Sequence, residues 1–281
     1  MRQYSQMSAS TITTMHCGGN IARLFEPETK DQLRALLAEF DDFIMLGGGS
    51  NMIFEDALIS SPVIRLGKGF DTVSRSKENV CCGAALLTSR LLNYCEEHGL
   101  SGLEFLAWIP GTVGGALFMN AGTAQRGIMD EVIDIEVMDK EGTRYIPRSD
   151  LNYGYRTGGF SPDTVITGAR FAMKSAPREQ IFAAVESFRK KRRDQPSGYS
   201  CGSVFKNPPH TSAGQLIEQA GMKGFAIGGA KVSQEHANFI INDGTATATD
   251  ILDLIRTIKN NVRERFGIEL VEEVRIIGKR L

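Results

Sequence analysis

Apolar residues recur every three to four positions over 29–40 (TKDQLRALLAEF). This spacing predicts a helix with Leu33, Leu36, Leu37 and Phe40 on its buried face. Phe43–Leu46 is an unbroken apolar run instead, which predicts a short strand leading straight into Gly47-Gly-Gly-Ser-Asn51. Apolar runs around Ile59 and over 63–66, interrupted by Pro62, predict further strands, and a first α/β unit ends near residue 66. A second unit opens with a strand at 80–84 and a helix over 86–98 that closes at Gly99, a favoured residue just past a helix end. Apolar runs at 132–137 and near Tyr145 flank the turn 139–142 and predict a hairpin. A strand at 164–173 and a helix over 178–193 follow, and Asp194-Gln-Pro-Ser-Gly198 then breaks the pattern as a domain boundary. The third unit has a helix over 213–220, a strand at 239–241, and a helix starting near Thr249 with Ile251, Leu254, Ile255, Ile258 and Val262 on one face. The last run, 270–277, alternates: Leu270, Glu272, Val274 and Ile276 point one way, Glu273, Arg275 and Ile277 the other. Glu273 and Arg275 then form either an edge ion pair or part of a site.

Glycine adds what periodicity cannot. Gly111, Gly114, Gly115 and Gly122 fall within Ile109–Gly122, and Gly47–Asn51 is a second cluster directly after a strand. Glycine costs backbone entropy, so such density means either a tight buried connection or backbone held close to a ligand, where successive N–H groups form an anion-binding concavity. Neither cluster is a dinucleotide G-x-G-x-x-G fingerprint or a Walker A loop. Apolar content of 42% and charged content of 23% are ordinary for a globular protein, and the net charge of -1 argues against a general nucleic-acid binder. The absence of a long apolar run or an N-terminal h-region makes a cytoplasmic protein without a membrane partner the expectation. Five cysteines at irregular spacing read as free thiols, and four histidines without metal-ligand spacing lead to no expected metal. The basic run Arg189–Arg193 is open to three readings: a nucleic-acid patch, a solvated helix end, or a positive surface facing ligand phosphates. Two stretches hold polar groups inside apolar sequence, Tyr153–Thr157 and Ser200–Pro208; no G-x-S-x-G elbow surrounds Ser203, whose hydroxyl could equally serve a turn.

The ordered set Cys17-Gly-Gly19, Gly47–Asn51, Ile109–Gly122, Gly154-Tyr-Arg156, Gln195-Pro196, Gly202–Pro208, Ala213–Ile217, His236–Phe239 and Glu273-Val-Arg275 resembles the UDP-N-acetylenolpyruvoylglucosamine reductases over nearly the whole chain, in their shorter branch. The resemblance implies an α+β fold of three domains. Two are FAD-binding domains of the vanillyl-alcohol-oxidase (PCMH) type, at 1–66, completed by the C-terminal strand 268–281, and at 67–195. The third, 196–267, is a substrate-binding α+β domain. It implies non-covalent FAD, NADPH as co-substrate, UDP-N-acetylglucosamine enolpyruvate as substrate, and no obligate protein partner. The cofactor residues it implies are Gly47, Gly48, Gly49, Ser50, Asn51, Gly111, Thr112, Gly114, Gly115, Asn120, Ala121 and Gly122. Ser203, Glu273 and Arg156 match the catalytic positions, and Arg156, Lys206 and Asn207 the substrate side. The chain departs from the family at Thr157-Gly-Gly-Phe160, where a serine is expected at 158, and at Thr123-Ala-Gln-Arg-Gly127.

The implied chemistry asks for these residue types. Hydride delivered to C3 of an enol ether leaves charge at C2 beside a carboxylate, which an arginine can stabilise, and C2 then needs a proton, for which the resemblance supplies Ser203. Two alternatives stand beside this reading: a flavin oxidase acting on another alcohol or sugar, and a non-catalytic module binding nucleotide sugars.

Overall fold

The structure, a computed structural model, describes residues 1–123, 125–193 and 195–278. The chain sorts into two units, the first of Met1–Tyr4, Leu24–Gly48 and Ser61–Arg193, the second of Ser5–Arg23, Gly49–Ser60 and Asp194–Leu281.

In the first unit, helix α1 (Lys30–Glu39) begins where Thr29 accepts the Gln32 amide hydrogen bond and buries Leu33, Leu36 and Leu37. They pack with Phe25, Ile64, Met138 and Val165, the stripe expected from their spacing. A five-stranded antiparallel sheet follows, in the order Gly142–Pro147, Val132–Asp139, Val165–Ala172, Asn79–Gly83, Val73–Ser76. The predicted hairpin is its edge, with Gly142 opposite Asp139. Helices α2 (Thr88–Glu97) and α3 (Val113–Phe118) pack on it. Helix α4 (Arg178–Lys191) buries Ile181 and Val185 against Leu92 and Ala107. Helix α3 is the main departure, because the glycine cluster at 113–118 is helical rather than looped. Thr112 caps it, and Gly114 lets it approach the sheet closely, where a Cβ would stand 2.9 Å from that of Ala84.

The second unit is built around helix α6 (Ala248–Phe266), with α5 (Ala213–Gln219) and a small antiparallel sheet of Ala226–Ile227, Ala230–Val232 and Ile240–Asn242. The predicted stripe Ile251, Leu254, Ile255, Ile258 and Val262 is buried, each side chain contributing about 1.5–3 kcal/mol of transfer free energy. The helix starts earlier than Thr249. Thr247 and Asp250 form a reciprocal capping box, while the amides of Ala248 and Thr249 donate to the Asp56 carboxylate at 2.9 and 2.8 Å. Burial pushes the Asp56 carboxyl up, but these bonds and the Thr249 hydroxyl outweigh it and hold it below its usual range. The terminal strand is shorter than its alternation suggests. Among the described residues Arg275–Ile277 pairs parallel to Met52–Phe54, whereas the run before it makes an isolated antiparallel bridge, Glu272 opposite Phe205, through backbone bonds with Val204 and Lys206. Lys279, Arg280 and Leu281 of the expected strand, Asp194 of the boundary and Ala124 lie outside the described residues.

Cys17, Cys82, Cys95 and Cys201 are buried, and burial raises the thiols of Cys17, Cys95 and Cys201 to about 12, so they act as packing groups. Among the described residues no helix is long and apolar enough to cross a membrane.

Candidate active site

Each unit carries part of the predicted set. In the first, Gly48 meets Gly111 and Thr112 backbone to backbone, and Gly47 meets the Thr112 side chain. A Cβ on Gly48 would stand 2.7 Å from the Gly111 Cα, and one on Gly47 2.9 Å from the Thr112 hydroxyl. The N–H groups of Gly47, Gly48, Gly111 and Thr112 donate to no acceptor among the described residues. Groups of this kind are normally paired, so four together form a donor set prepared for an acceptor from outside the chain. The Gly115 amide reaches only the Thr112 hydroxyl, at 3.4 Å.

The two glycines of α3 divide their tasks. Gly114 gives its amide to Ala84 and its missing Cβ to the sheet, whereas a Cβ on Gly115 would meet only the Thr112 hydroxyl at 3.6 Å. Gly114→Val is therefore expected to destabilise the fold by about 1–3 kcal/mol through overpacking. Gly115→Val is expected to keep the fold and lose flavin. Thermal melts and flavin absorbance of both variants check this pair of outcomes.

Beyond α3, Asn120 (φ 44°) donates from Nδ2 to the Gly154 carbonyl at 2.8 Å and accepts the Met129 amide at 3.1 Å, so its side chain braces the loop. The Ala121 amide donates to Ala116, and Gly122 faces Gly127 across a turn closed by Thr123 and Arg126. Gly154 and Thr157 exchange backbone hydrogen bonds of 2.9 and 3.2 Å, closing a two-residue turn in which Arg156 stands at φ 56°. That left-handed conformation costs a non-glycine residue roughly 1–2 kcal/mol. Its guanidinium lies 5.0 Å from the Tyr155 ring centroid and donates to the Gly122 carbonyl at 3.4 Å. The serine expected at 158 has no room: a Cβ on Gly158 would stand 2.2 Å from the Leu117 carbonyl, and the Gly158 amide donates to Phe118. Here the turn and Asn120 set the backbone that carries Arg156. Of the basic run, Arg192 lies close enough to Arg156 to feel its charge; burial first, and that repulsion second, lower the Arg192 pKa.

In the second unit, Gly49 (φ 66°) accepts the Thr14 amide, Ser50 follows it, and Asn51 donates from Nδ2 to the Glu273 carbonyl at 3.0 Å. The Glu273 amide donates to the Val204 carbonyl at 2.8 Å, which places Glu273 beside the segment carrying Ser203. Ser203 bridges Phe239 through the backbone, and its half-buried hydroxyl has no hydrogen-bond partner among the described residues. The neighbouring Glu272 pairs with Lys259 at 2.8 Å. Asn207 accepts the Ala213 amide at 3.1 Å, while the Lys206 ammonium has no ion-pair partner among the described residues. Pattern reading did not single out Asn238 as a support. Buried, it accepts the Phe205 amide at 3.0 Å, donates to the Phe205 carbonyl at 2.8 Å, and gives its own carbonyl to the Val204 amide. Its signal is a polar residue between the apolar Ala237 and Phe239-Ile-Ile241. Arg192 was visible only as one cation among five.

A depression of about 300 Å³ in the first unit is lined by Lys30, Cys81, Glu136, Tyr145, Thr167 and Arg170, among others, and holds none of the predicted site residues.

Comparison with known proteins decides the family. The model of the UDP-N-acetylenolpyruvoylglucosamine reductase C-terminal domain matches residues 194–277, and that of an FAD binding domain matches 21–146. The UDP-N-acetylenolpyruvoylglucosamine reductase of Anoxybacillus flavithermus is 37% identical over 277 residues, covering 95% of this chain and 92% of that protein. That of Syntrophobacter fumaroxidans is 41% identical over 279 residues, covering 95% and 81%. The chain belongs to this family. The crystal structure of the UDP-N-acetylenolpyruvylglucosamine reductase from Thermus caldophilus superposes with a TM-score of 0.87 at 35% identity, covering 98% of both chains. The fold is therefore the family's FAD-binding fold plus its C-terminal domain. The residues present fit FAD, because the unpaired amides of Gly47, Gly48, Gly111 and Thr112 are the donor set a diphosphate needs.

Proposed function

We propose that Ser203, Glu273 and Arg156 carry the proton and charge handling of the family's reaction in this chain. That reaction is the NADPH-dependent reduction of UDP-N-acetylglucosamine enolpyruvate to UDP-N-acetylmuramate, a step of peptidoglycan precursor synthesis, and the chain is an enzyme of this class. Bound FAD would supply hydride transfer from NADPH to C3 of the enol ether. The backbone N–H groups of Gly47, Gly48, Gly111 and Thr112 would hold its diphosphate, and Gly115 would leave room for it. Arg156 binds the enolpyruvyl carboxylate and stabilises the negative charge that develops next to it at C2. Its planar fork suits a carboxylate better than an ammonium would. The Ser203 hydroxyl gives C2 its proton; a hydroxyl is a weak acid, but the carbanion is a strong base and positioning supplies the rest. Glu273, anchored by Asn51 and Val204, orders the groups around that transfer, and Lys206 and Asn207 bind substrate.

We assign residues 1–66 with the C-terminal strand, and 67–195, to FAD binding, and 196–267 to substrate. The two family matches and the parallel pairing of Arg275–Ile277 with Met52–Phe54 support this division. A cytoplasmic location follows from a nucleotide-sugar substrate and NADPH.

The four unpaired amides carry the reading of the cofactor side. Turnover in D2O tests the chemistry. One solvent deuterium is expected at C2 of the lactyl ether in every product molecule, because the Ser203 hydroxyl proton exchanges with solvent. Product formed in D2O with protium at C2 would contradict proton delivery there.

A further inference from the structure

The only tryptophan of the chain stands at position 108, three residues before Gly111. It is 56% exposed. Its φ of 61° is left-handed, a conformation that bulky residues adopt only where surrounding structure enforces it and that clusters at ligand sites. The enforcement is visible on both sides. The amides of Ala107 and Ile109 donate to Glu104 and Leu106, and Thr88 gives its hydroxyl to the Ile109 carbonyl at 2.7 Å and its amide to that of Gly111 at 3.0 Å. A glycine would fill this position without strain, yet the chain spends the strain to present an indole. Among the described residues the indole N–H has no hydrogen-bond partner and the ring no aromatic neighbour. Leu87, paired through the backbone with Thr112, is a second exposed apolar side chain flanking the same amides, at 46% exposure.

We propose that Trp108 is a stacking platform for the adenine ring of FAD. This rests on the reading of Gly111 and Thr112 as diphosphate donors and of Arg156 as the substrate-binding arginine. Order along the first unit gives the direction: Trp108 lies before those donors, α3 runs onward from them, and Arg156 contacts Gly122 beyond its far end. The flavin ring must serve the substrate that Arg156 binds, so it lies toward that end. The adenosine half then extends the other way from the diphosphate, where the indole stands. A planar base on an aromatic face gains dispersion and π contact without needing a hydrogen-bond pattern.

Binding of FAD and of FMN to the full-length chain, followed by flavin fluorescence, tests the assignment in W108G, W108A and W108F. FMN carries the flavin and a phosphate but no adenosine. The Kd for FAD is expected to rise about tenfold in W108G and W108A, and less than about threefold in W108F, which keeps an aromatic face. The Kd for FMN is expected to be equal in the wild type and W108G. An unchanged FAD affinity in W108G overturns the proposal. So does equal weakening of FAD and FMN, which marks a general disturbance of the loop. Failure of the wild type itself to hold FAD would instead overturn the donor-set reading on which the proposal rests.

Discussion

Ser203→Ala slows the oxidation of reduced flavin by the enolpyruvyl substrate by about two to four orders of magnitude, the usual worth of a positioned proton donor. Reduction of the flavin by NADPH stays at its wild-type rate, since that half-reaction needs no proton at C2. The expectation rests on how the hydroxyl is held. The backbone of Ser203 bridges Phe239, the next amide is bonded to Asn238, and the Oγ itself is committed to no protein group among the described residues. A hydroxyl with that freedom and that fixed backbone can meet a substrate carbon. Removing one oxygen from a half-buried position opens no large cavity, so stability should move by less than about 1 kcal/mol. Stopped-flow traces of both half-reactions check this; equal slowing of the two would contradict the role.

Arg156→Gly separates function from stability. Turnover is expected to fall about 10²–10³-fold, the cost of losing one preorganised charge-stabilising group. The melting temperature should be unchanged or rise by up to about 3 °C, because glycine takes the φ of 56° without the penalty that arginine bears. Arg156→Lys should keep the strain and the charge but lose the planar fork, and so lose activity without gaining stability. Melting curves and steady-state kinetics on the same preparations read both quantities. A drop of several degrees in Arg156→Gly would show that the arginine is there for the fold.

Helical stripes were the most legible features. Leu33, Leu36 and Leu37, and the five residues of α6, are buried as their spacing demanded, because one face of a long helix must find a core. The hairpin at 132–147 was equally plain from its apolar runs and turn. Short helices and edge strands were not. Arg2–Ser8 is a strand with little buried on either face, so its sequence carries no alternation. Val113–Phe118 is helical although it contains two glycines, because the Thr112 cap and contact with Ala84 override propensity. The glycine clusters marked the donor set, but sequence could not say which glycine packs and which stays open; that needed the neighbours of Gly114 and Gly115. The departure at 158, where the resemblance expected a serine, is a steric requirement of this backbone. Supports such as Asn238 act through contacts distant in sequence and leave only a faint trace in it.

Anaerobic stopped-flow reduction by NADPH, followed by UDP-N-acetylglucosamine enolpyruvate, tests the central claim most directly. Bleaching of the bound-flavin spectrum by NADPH is predicted first. Return of the oxidised spectrum on adding one equivalent of the enolpyruvyl substrate, with one equivalent of UDP-N-acetylmuramate formed, is predicted next. A flavin that NADPH does not reduce, or one that is reoxidised only when oxygen is admitted, would contradict it.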